Sequence, residues 1–255
     1  MNLYFELLKK PVFRIEDVDL YYNNIHSSRS AVSRLIKEGL VVKIRNNMYT
    51  CINGETGSPV ANRFQIASAV TPTSYVSHHT AMEYYGLTDQ VFYEVYVSSD
   101  TSFRDFEFDG YTYRYIKSKN KDGIISPEYS GGIRITDMER TLLDCIKDMD
   151  KIAGIEEVFQ NISSMRHLQE KRLLAYLGLF QNQFLYQKSG YLLQGLSGQL
   201  DLSEHFFDEC KSKIGKSKRY LTSDIKSGSY NDEWKLVIPE GILDMKNGVM
   251  GDAAI

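Results

Sequence analysis

Apolar residues near the N-terminus recur with the spacing of short amphipathic helices. This pattern predicts helices over residues 2–9 and 16–22, and Pro11 ends the first because its ring blocks helix continuation. The pair Asn23-Asn24 then signals a turn, since asparagine disfavours a helix interior. Two short helices in succession are therefore expected at the start of the chain.

A third predicted helix has clearly separated apolar and polar faces. It is expected to begin at a cap formed by Ser27 or Ser28, to run to Glu38 and to end at Gly39. Its apolar stripe consists of Ala31, Val32, Leu35 and Ile36. Its opposite face consists of Arg29, Ser30, Ser33, Arg34 and Lys37. Such a helix buries one side and presents hydroxyl and cationic groups on the other.

Two β-rich runs follow, separated by a pair of asparagines. Residues 40–45 and 48–52 predict an antiparallel hairpin turned by Asn46 and Asn47, because asparagine tolerates the positive φ that tight hairpin turns need. Residues 53–59 are rich in glycine and polar side chains and predict a linker. The sequence therefore predicts a first domain over residues 1–58.

The remainder of the chain, residues 59–255, mixes strand and helix patterns and predicts one larger domain. Its strongest local signal is a hairpin over 103–116 with Asp109-Gly110 in the turn. Helical patterns dominate from about residue 137 to 215, and a late strand is predicted over 234–238. The expected class is α+β: an N-terminal winged helix-turn-helix followed by a mixed domain with a helical C-terminal part.

The order of helix, helix, polar-faced helix and two-stranded wing is typical of domains that read duplex DNA. Such a domain lays one helix in the major groove and a wing against the flanking backbone or minor groove. The expected groove contacts are Arg29, Ser30, Ser33, Arg34 and Lys37. The expected wing contacts are Lys43, Arg45, Asn46 and Asn47. The alternatives are a merely solvated helix face and a protein-interaction module without DNA binding.

The distribution of charge agrees with this hypothesis. The whole chain carries a net charge of −3, which argues against an indiscriminate nucleic-acid coat. Residues 1–60 hold eight Lys or Arg and six Asp or Glu, so this part carries +2 and the rest carries −5. The basic excess is modest, but it coincides with the predicted DNA-reading segment.

The main sign of enzyme chemistry is the run Asp105-Phe-Glu107-Phe-Asp109. Alternation along a strand puts these carboxylates on one side, where they could hold Mg²⁺ as in a nuclease or nucleotidyltransferase. The simpler interpretation is a hairpin with Phe106 and Phe108 inward and the acids in water. Neither a lysine base nor a nucleotide-binding glycine-rich loop lies nearby, so no catalytic residue, metal or cofactor is expected.

Histidine and cysteine usage also favours structural roles. His78 and His79 are adjacent at a predicted helix start and point in different directions, which makes a poor metal pair. Cys51, Cys145 and Cys210 are far apart in sequence, which favours reduced thiols in the cytoplasm. Neither a signal peptide nor a membrane-spanning segment is expected.

Several segments resemble the AbiEi-type antitoxins of type IV, or abortive infection, toxin–antitoxin systems. Residues 42–49 are similar to that family's basic hairpin, with Asn47 where glycine is common and Asn46 where a second basic residue is frequent. Residues 75–87 resemble its strand-to-helix segment ending in Gly-Leu. Residues 134–144 are similar to its Thr-x-x-Glu-Arg-Thr-Leu-Leu-Asp signature, in which Thr136 and Glu139 also predict a capping box.

The resemblance implies a regulator with two roles. The winged helix would bind inverted repeats in the double-stranded DNA of its own promoter and repress the operon. The larger domain would neutralise a cognate nucleotidyltransferase-like toxin, without requiring a stable complex between the two proteins. Neither a cofactor nor a membrane partner is expected.

Overall fold

The computed structural model describes residues 3–88, 90–152, 154–223 and 227–242. Contacts between residues divide the chain into two compact units. The first contains Met1–Val76 and Val91–Ile135, and the second contains Ser77–Gln90 and Thr136–Ile255. Both units contain helices and strands, which confirms the expected α+β class. Residues 1–58 share the first unit with 59–76 and 91–135, which the sequence assigned to the second domain.

The first unit begins with three helices and a hairpin, in the predicted order. Their apolar side chains form a common core that includes Leu7, Phe13, Val32 and Leu35. The strands pair antiparallel with Arg45 opposite Met48, which confirms the predicted two-residue turn. These elements are α1 (Leu3–Leu7), α2 (Ile15–Tyr22), α3 (Ile25–Lys37), β1 (Val41–Arg45) and β2 (Met48–Cys51).

The rest of the first unit consists of a helix and a six-stranded sheet with strand order β5-β6-β4-β3-β8-β7. These elements are α4 (Arg63–Ala69), β3 (Tyr75–Val76), β4 (Glu94–Ser99), β5 (Phe106–Phe108), β6 (Tyr111–Lys117), β7 (Ile124–Ile125) and β8 (Ile135–Thr136). The predicted hairpin is confirmed, since Phe108 pairs with Tyr111 across Asp109 and Gly110, whose φ angles are 50° and 78°. The hairpin thus adds β5 at one edge of the sheet.

The second unit is mainly helical and contains a separate three-stranded sheet with order β10-β11-β9. Its helices are α5 (His78–Tyr84), α6 (Met138–Ile152), α7 (Ile155–Ser164), α8 (Glu170–Phe180), α9 (Gln183–Gln194), α10 (Ser197–Leu200) and α11 (Glu204–Lys213). Its strands are β9 (Arg219–Tyr220), β10 (Gly228–Asn231) and β11 (Leu236–Pro239). The strand predicted over 234–238 therefore begins two residues later than expected.

A buried tryptophan connects the helices of the second unit with its sheet. Trp234 is completely buried, and a Cβ at Gly190 of α9 would lie 2.0 Å from its ring. Only glycine lets the indole approach this helix so closely. Trp234 Nε1 donates a hydrogen bond to Gln194 at 2.7 Å, so the polar edge of the ring is satisfied as well.

Cys51, Cys145 and Cys210 are all free thiols and all buried. Among the residues that the structure describes, no helix combines the length and the apolar character needed to cross a bilayer.

Candidate nucleic-acid interface

The start of α3 is fixed by an asparagine cap. The side-chain oxygen of Asn24 accepts hydrogen bonds from the backbone N–H groups of His26 and Ser27, each at 3.0 Å. The predicted cap at Ser27 or Ser28 is wrong, because Asn24 is extended and the helix already begins at Ile25. Ser28 is instead buried and donates to the Asp19 carboxylate at 2.9 Å, which connects α3 to α2.

The apolar side of α3 packs into the first unit largely as its spacing predicts. Ala31, Val32 and Leu35 are buried, whereas Ile36 is 39% exposed. The inclusion of Ile36 in the buried stripe is therefore wrong, because this residue lies at the edge of the packed face. Gly39 follows the helix with a φ of 72°, which confirms the predicted glycine stop.

The polar side of α3 faces solvent along its whole length. All of the predicted groove residues are exposed, namely Arg29, Ser30, Ser33, Arg34 and Lys37. Within the described part of the chain, the side chains of Arg29, Arg34 and Lys37 form neither an ion pair nor a hydrogen bond. Their charges are thus not compensated within the protein and are accessible to an anionic partner.

The hairpin presents only part of its predicted polar set to solvent. Lys43 and Asn46 are exposed, whereas Arg45 and Asn47 are half-buried. The pairing of β1 with β2 shifts register between Lys43 and Arg45, which changes the direction of the side chains beyond the irregularity. Such a shift has no local sequence signal, which is why the sequence pattern predicts the same exposure for all four residues.

Arg45 packs against the protein instead of projecting from the hairpin. Its guanidinium carbon lies 4.8 Å from the ring centroid of Phe106 and 5.5 Å from that of Phe103. Its Nη1 is buried without a hydrogen-bond partner among the described residues. Burial, and secondarily the nearby charge of Arg14, lower the pKa of Arg45. Arg45 is therefore a packing residue of the first unit rather than a solvent-facing cation.

Asn47 shapes the hairpin turn and ties it to the start of α2. It adopts a φ of 53°, as predicted for this turn. Its side-chain oxygen accepts from the backbone N–H of Ile15 at 3.0 Å, and its amide nitrogen donates to both carboxylate oxygens of Glu16 at 2.9 Å. The pKa of Glu16 is lowered by a backbone hydrogen bond and by this contact. The amide of Asn47 is thus used within the protein.

Arg14 also holds the hairpin, a role that the sequence did not reveal. Its guanidinium donates to the backbone carbonyl of Asn47 at 3.2 Å, and to the carbonyls of Ala69 at 2.7 Å and Val70 at 3.2 Å. These acceptors lie at the hairpin turn and at the end of α4. Arg14 therefore connects the hairpin to the body of the first unit, and the exposed Lys43 and Asn46 project from a fixed support.

An exposed apolar group lies at the end of α2, immediately before the cap of α3. Leu20 is 77% exposed, Tyr21 44% and Tyr22 40%. Single exposed apolar residues are common on protein surfaces, but a consecutive group can form a contact surface. The surface around the start of α3 thus combines cations with apolar and aromatic side chains.

The carboxylates of the alternative enzyme hypothesis are arranged as part of a hairpin surface. Asp105 accepts from the backbone N–H of Tyr115 at 2.9 Å and pairs with Arg114 at 3.2 Å. Glu107 and Asp109 are exposed, while Phe106 stacks on Tyr113 with ring centroids 4.6 Å apart. The described residues contain no group of three His, Cys, Asp or Glu side chains arranged to hold a metal ion.

The adjacent histidines are packed inside the second unit. His78 and His79 are 1% and 3% exposed. His78 Nδ1 lies 2.8 Å from the hydroxyl of Ser77, and its Nε2 lies 3.5 Å from the Asp148 carboxylate. The two rings are therefore core residues at the start of α5, as the sequence suggested.

The signature-like segment over 134–144 forms a buried polar network at the start of α6. The predicted capping box is wrong: Asp137, not Thr136, accepts from the backbone N–H of Arg140 at 2.9 Å. Glu139 instead accepts from the backbone N–H of Gln169 at 2.9 Å. Arg140 is 1% exposed, and its Nε lies 3.1 Å from both carboxylate oxygens of Asp144. The charges of Arg140 and Asp144 are therefore paired within the protein.

The chain shares its fold with a known structure but matches no known family. No protein-family model matches the chain, and neither does any curated protein. The crystal structure of the RV2827C protein from Mycobacterium tuberculosis is similar, with a TM-score of 0.61 and 14% sequence identity. The alignment covers 92% of this chain and 89% of that chain. At this identity the likeness shows that the two chains share a fold.

Proposed function

We propose that this protein is a DNA-binding transcriptional autorepressor and the antitoxin of a type IV toxin–antitoxin system. In this proposal, residues 1–58 form a winged helix-turn-helix in which α3 reads DNA and the β1–β2 hairpin is the wing. The observation that carries the proposal is the solvent-exposed polar face of α3, whose charges have no ion-pair partner among the described residues, opposite a buried apolar face. The protein has no catalytic role in this account.

The dimensions and chemistry of α3 suit the major groove of B-DNA. The helix has 13 residues, and an α-helix of about 10–12 Å diameter fits a groove about 12 Å wide. Arg29 and Arg34 offer the planar guanidinium forks that recognise guanine edges, and the serine hydroxyls can contact bases or phosphates. The exposed Lys43 and Asn46 on the hairpin would contact the flanking backbone.

Binding to an inverted repeat requires two copies of the protein on one operator. Each half-site would accept one α3, and the two half-sites would lie about one helical turn apart or a multiple of it. The two copies need not form a dimer in solution. Repression then follows because the occupied repeats lie in the protein's own promoter.

The antitoxin role is supported by the resemblance of residues 134–144 to the family signature. In the second unit the charged residues of this segment are buried and hydrogen-bonded, so they would act by maintaining the fold and not by contacting the toxin; they are Asp137, Glu139, Arg140 and Asp144. The toxin would be a nucleotidyltransferase-like protein encoded beside this chain. Expression of that toxin with and without this protein tests the role, and unchanged growth arrest would refute it.

A winged helix that binds a protein instead of DNA is the second candidate. The exposed Leu20, Tyr21 and Tyr22 beside α3 favour it, because consecutive apolar side chains suit a protein interface. An electrophoretic mobility shift separates the two functions. The autorepressor proposal expects retention of a fragment from upstream of the protein's own reading frame, and weaker retention of a shuffled fragment of the same length. Absent retention of both fragments would favour the interaction module, and equal retention would refute sequence-specific repression.

A further inference from the structure

The three-stranded sheet of the second unit exposes two tyrosines on one face. Tyr230 of β10 pairs with Val237 of β11, and Val237 pairs with Tyr220 of β9. Residues directly opposite each other in neighbouring strands point to the same face of a sheet. Tyr220 is 57% exposed and Tyr230 45%, whereas Val237 between them is buried. The face thus has one accessible aromatic ring on each side of an apolar residue.

Positive charge is concentrated at the edge of this face. The segment 211–219, which leads into β9, contains five Lys or Arg residues and no Asp or Glu. Lys213, Lys216 and Lys218 are exposed. Lys218 lies two residues before Tyr220, and its Nζ lies 5.2 Å from the ring centroid of Tyr230. The ammonium group of Lys218 is therefore beside the aromatic row.

Two of the acidic residues next to the face form ion pairs, whereas Glu240 after β11 accepts a hydrogen bond from Ser227 at 3.1 Å. Glu233 pairs with Lys211 at 2.7 Å, and Asp232 pairs with Lys235 at 2.9 Å. Lys213, Lys216 and Lys218 form no ion pair within the described residues. These three lysines outnumber Glu240, so the unpaired charge near the sheet is on balance positive, in contrast to the net negative charge of the chain as a whole.

We propose that this sheet face, defined by Tyr220, Tyr230 and Lys218, binds single-stranded RNA, with Lys216 in the segment that leads into β9. Aromatic rings on a sheet provide stacking surfaces for unpaired bases, and flanking lysines neutralise the phosphates. The phenol groups add hydrogen-bonding capacity for 2′-hydroxyl groups, which act as donor and acceptor. In a duplex the base faces are already stacked on one another, so the two tyrosine rings would have no base to stack on. The RNA surface lies in the second unit, and the proposed DNA-reading face lies in the first.

Fluorescence anisotropy with the full-length chain tests the proposal. The probe is a labelled 12-nucleotide single-stranded RNA of mixed sequence, compared with the same strand in an RNA duplex and with single-stranded DNA of the same sequence. The single-stranded RNA is expected to bind most tightly. Tyr220→Ala and Tyr230→Ala should each weaken its binding by at least about fivefold, the loss of one stacked base. Lys216→Ala and Lys218→Ala should each reduce the slope of log K against log salt by about 0.7.

Conservative and distant variants separate binding from folding. Tyr220→Phe keeps the stacking ring and should retain most of the affinity. Tyr129→Ala removes an exposed tyrosine from the first unit and should leave RNA binding unchanged. Equal binding of the RNA duplex or of the DNA strand would overturn the proposal, and so would wild-type affinity in the Tyr220→Ala, Tyr230→Ala double variant. These outcomes are independent of whether duplex DNA binds through α3.

Discussion

The guanidinium of Arg45 lies over the ring of Phe106, with 4.8 Å between the guanidinium carbon and the ring centroid. This contact joins the end of β1 to the first residue of β5 within the first unit. A cation over an aromatic ring stabilises a protein by about 0.5–2 kcal/mol, depending on its exposure. Arg45 therefore contributes to the position of the hairpin, although its residue type suggested contact with DNA.

A double-mutant cycle on Arg45 and Phe106 measures this contact. Arg45→Ala and Phe106→Ala should each lower the free energy of unfolding, and the double variant should lose about 1 kcal/mol less than the sum of the two. Chemical denaturation provides the values. Lys43→Ala is the matched control, since this exposed cation of the same strand should change stability by less than about 0.5 kcal/mol. Additive losses would show that the two side chains do not interact.

The cap of α3 gives a second prediction. Asn24→Ala should lower the free energy of unfolding by about 1 kcal/mol, because the N–H groups of His26 and Ser27 lose their shared acceptor. Ser27→Ala should leave it almost unchanged, since Ser27 was the expected cap and does not act as one. Thermal or urea unfolding of the two variants shows which residue caps the helix. If Ser27→Ala were the less stable variant, Ser27 and not Asn24 would be the cap of α3.

Asp148 in the second unit gives a prediction of pH dependence. Burial raises the pKa of this carboxyl, but the hydrogen bond with His78 and the ion pair with Lys147 outweigh burial and hold it below its usual range. A depressed pKa in the folded state stabilises the protein above the unfolded pKa of about 4, and this stabilisation is lost as the pH falls further. Asp148→Asn should therefore cost about 1–3 kcal/mol at pH 7 and progressively less below pH about 4.

Urea unfolding of the wild type and Asp148→Asn between pH 3 and 7 checks this dependence. Asp232→Asn is the control, because Asp232 is 85% exposed and its ion pair with Lys235 is screened by solvent. Asp232→Asn should change the free energy of unfolding only slightly at every pH. A cost of Asp148→Asn that stays constant, or that grows as the pH falls, would contradict the assigned role of Asp148.

The local part of the fold was predictable from the sequence because its causes are local. Ala31, Val32 and Leu35 share a helix face by spacing alone, and burial of that face leaves Arg29 and Arg34 in solvent. The turns at Asn46-Asn47 and Asp109-Gly110 follow from residues that accept positive φ. For these elements the sequence pattern and the final packing favour the same arrangement.

The contacts of Arg45 and Arg14 could not be predicted, because their partners are distant in sequence. Arg45 contacts Phe103 and Phe106, and Arg14 donates to carbonyls at the end of α4. The two-residue strands β7 and β9 were missed for a related reason, since neither carries an alternating pattern of its own. The tyrosine row of the second sheet likewise depends on pairing among separate segments.

The central claim is tested most directly by the affinity for a duplex promoter fragment as a function of salt concentration. Arg34→Ala should weaken binding by about 1–3 kcal/mol, and Lys43→Ala should reduce the salt slope by about one. Lys171→Ala, an exposed lysine of the second unit, is the charge-matched control and should behave like the wild type. If the Arg34→Ala, Lys43→Ala double variant kept wild-type affinity and slope, α3 and the hairpin would not be the surface that binds DNA.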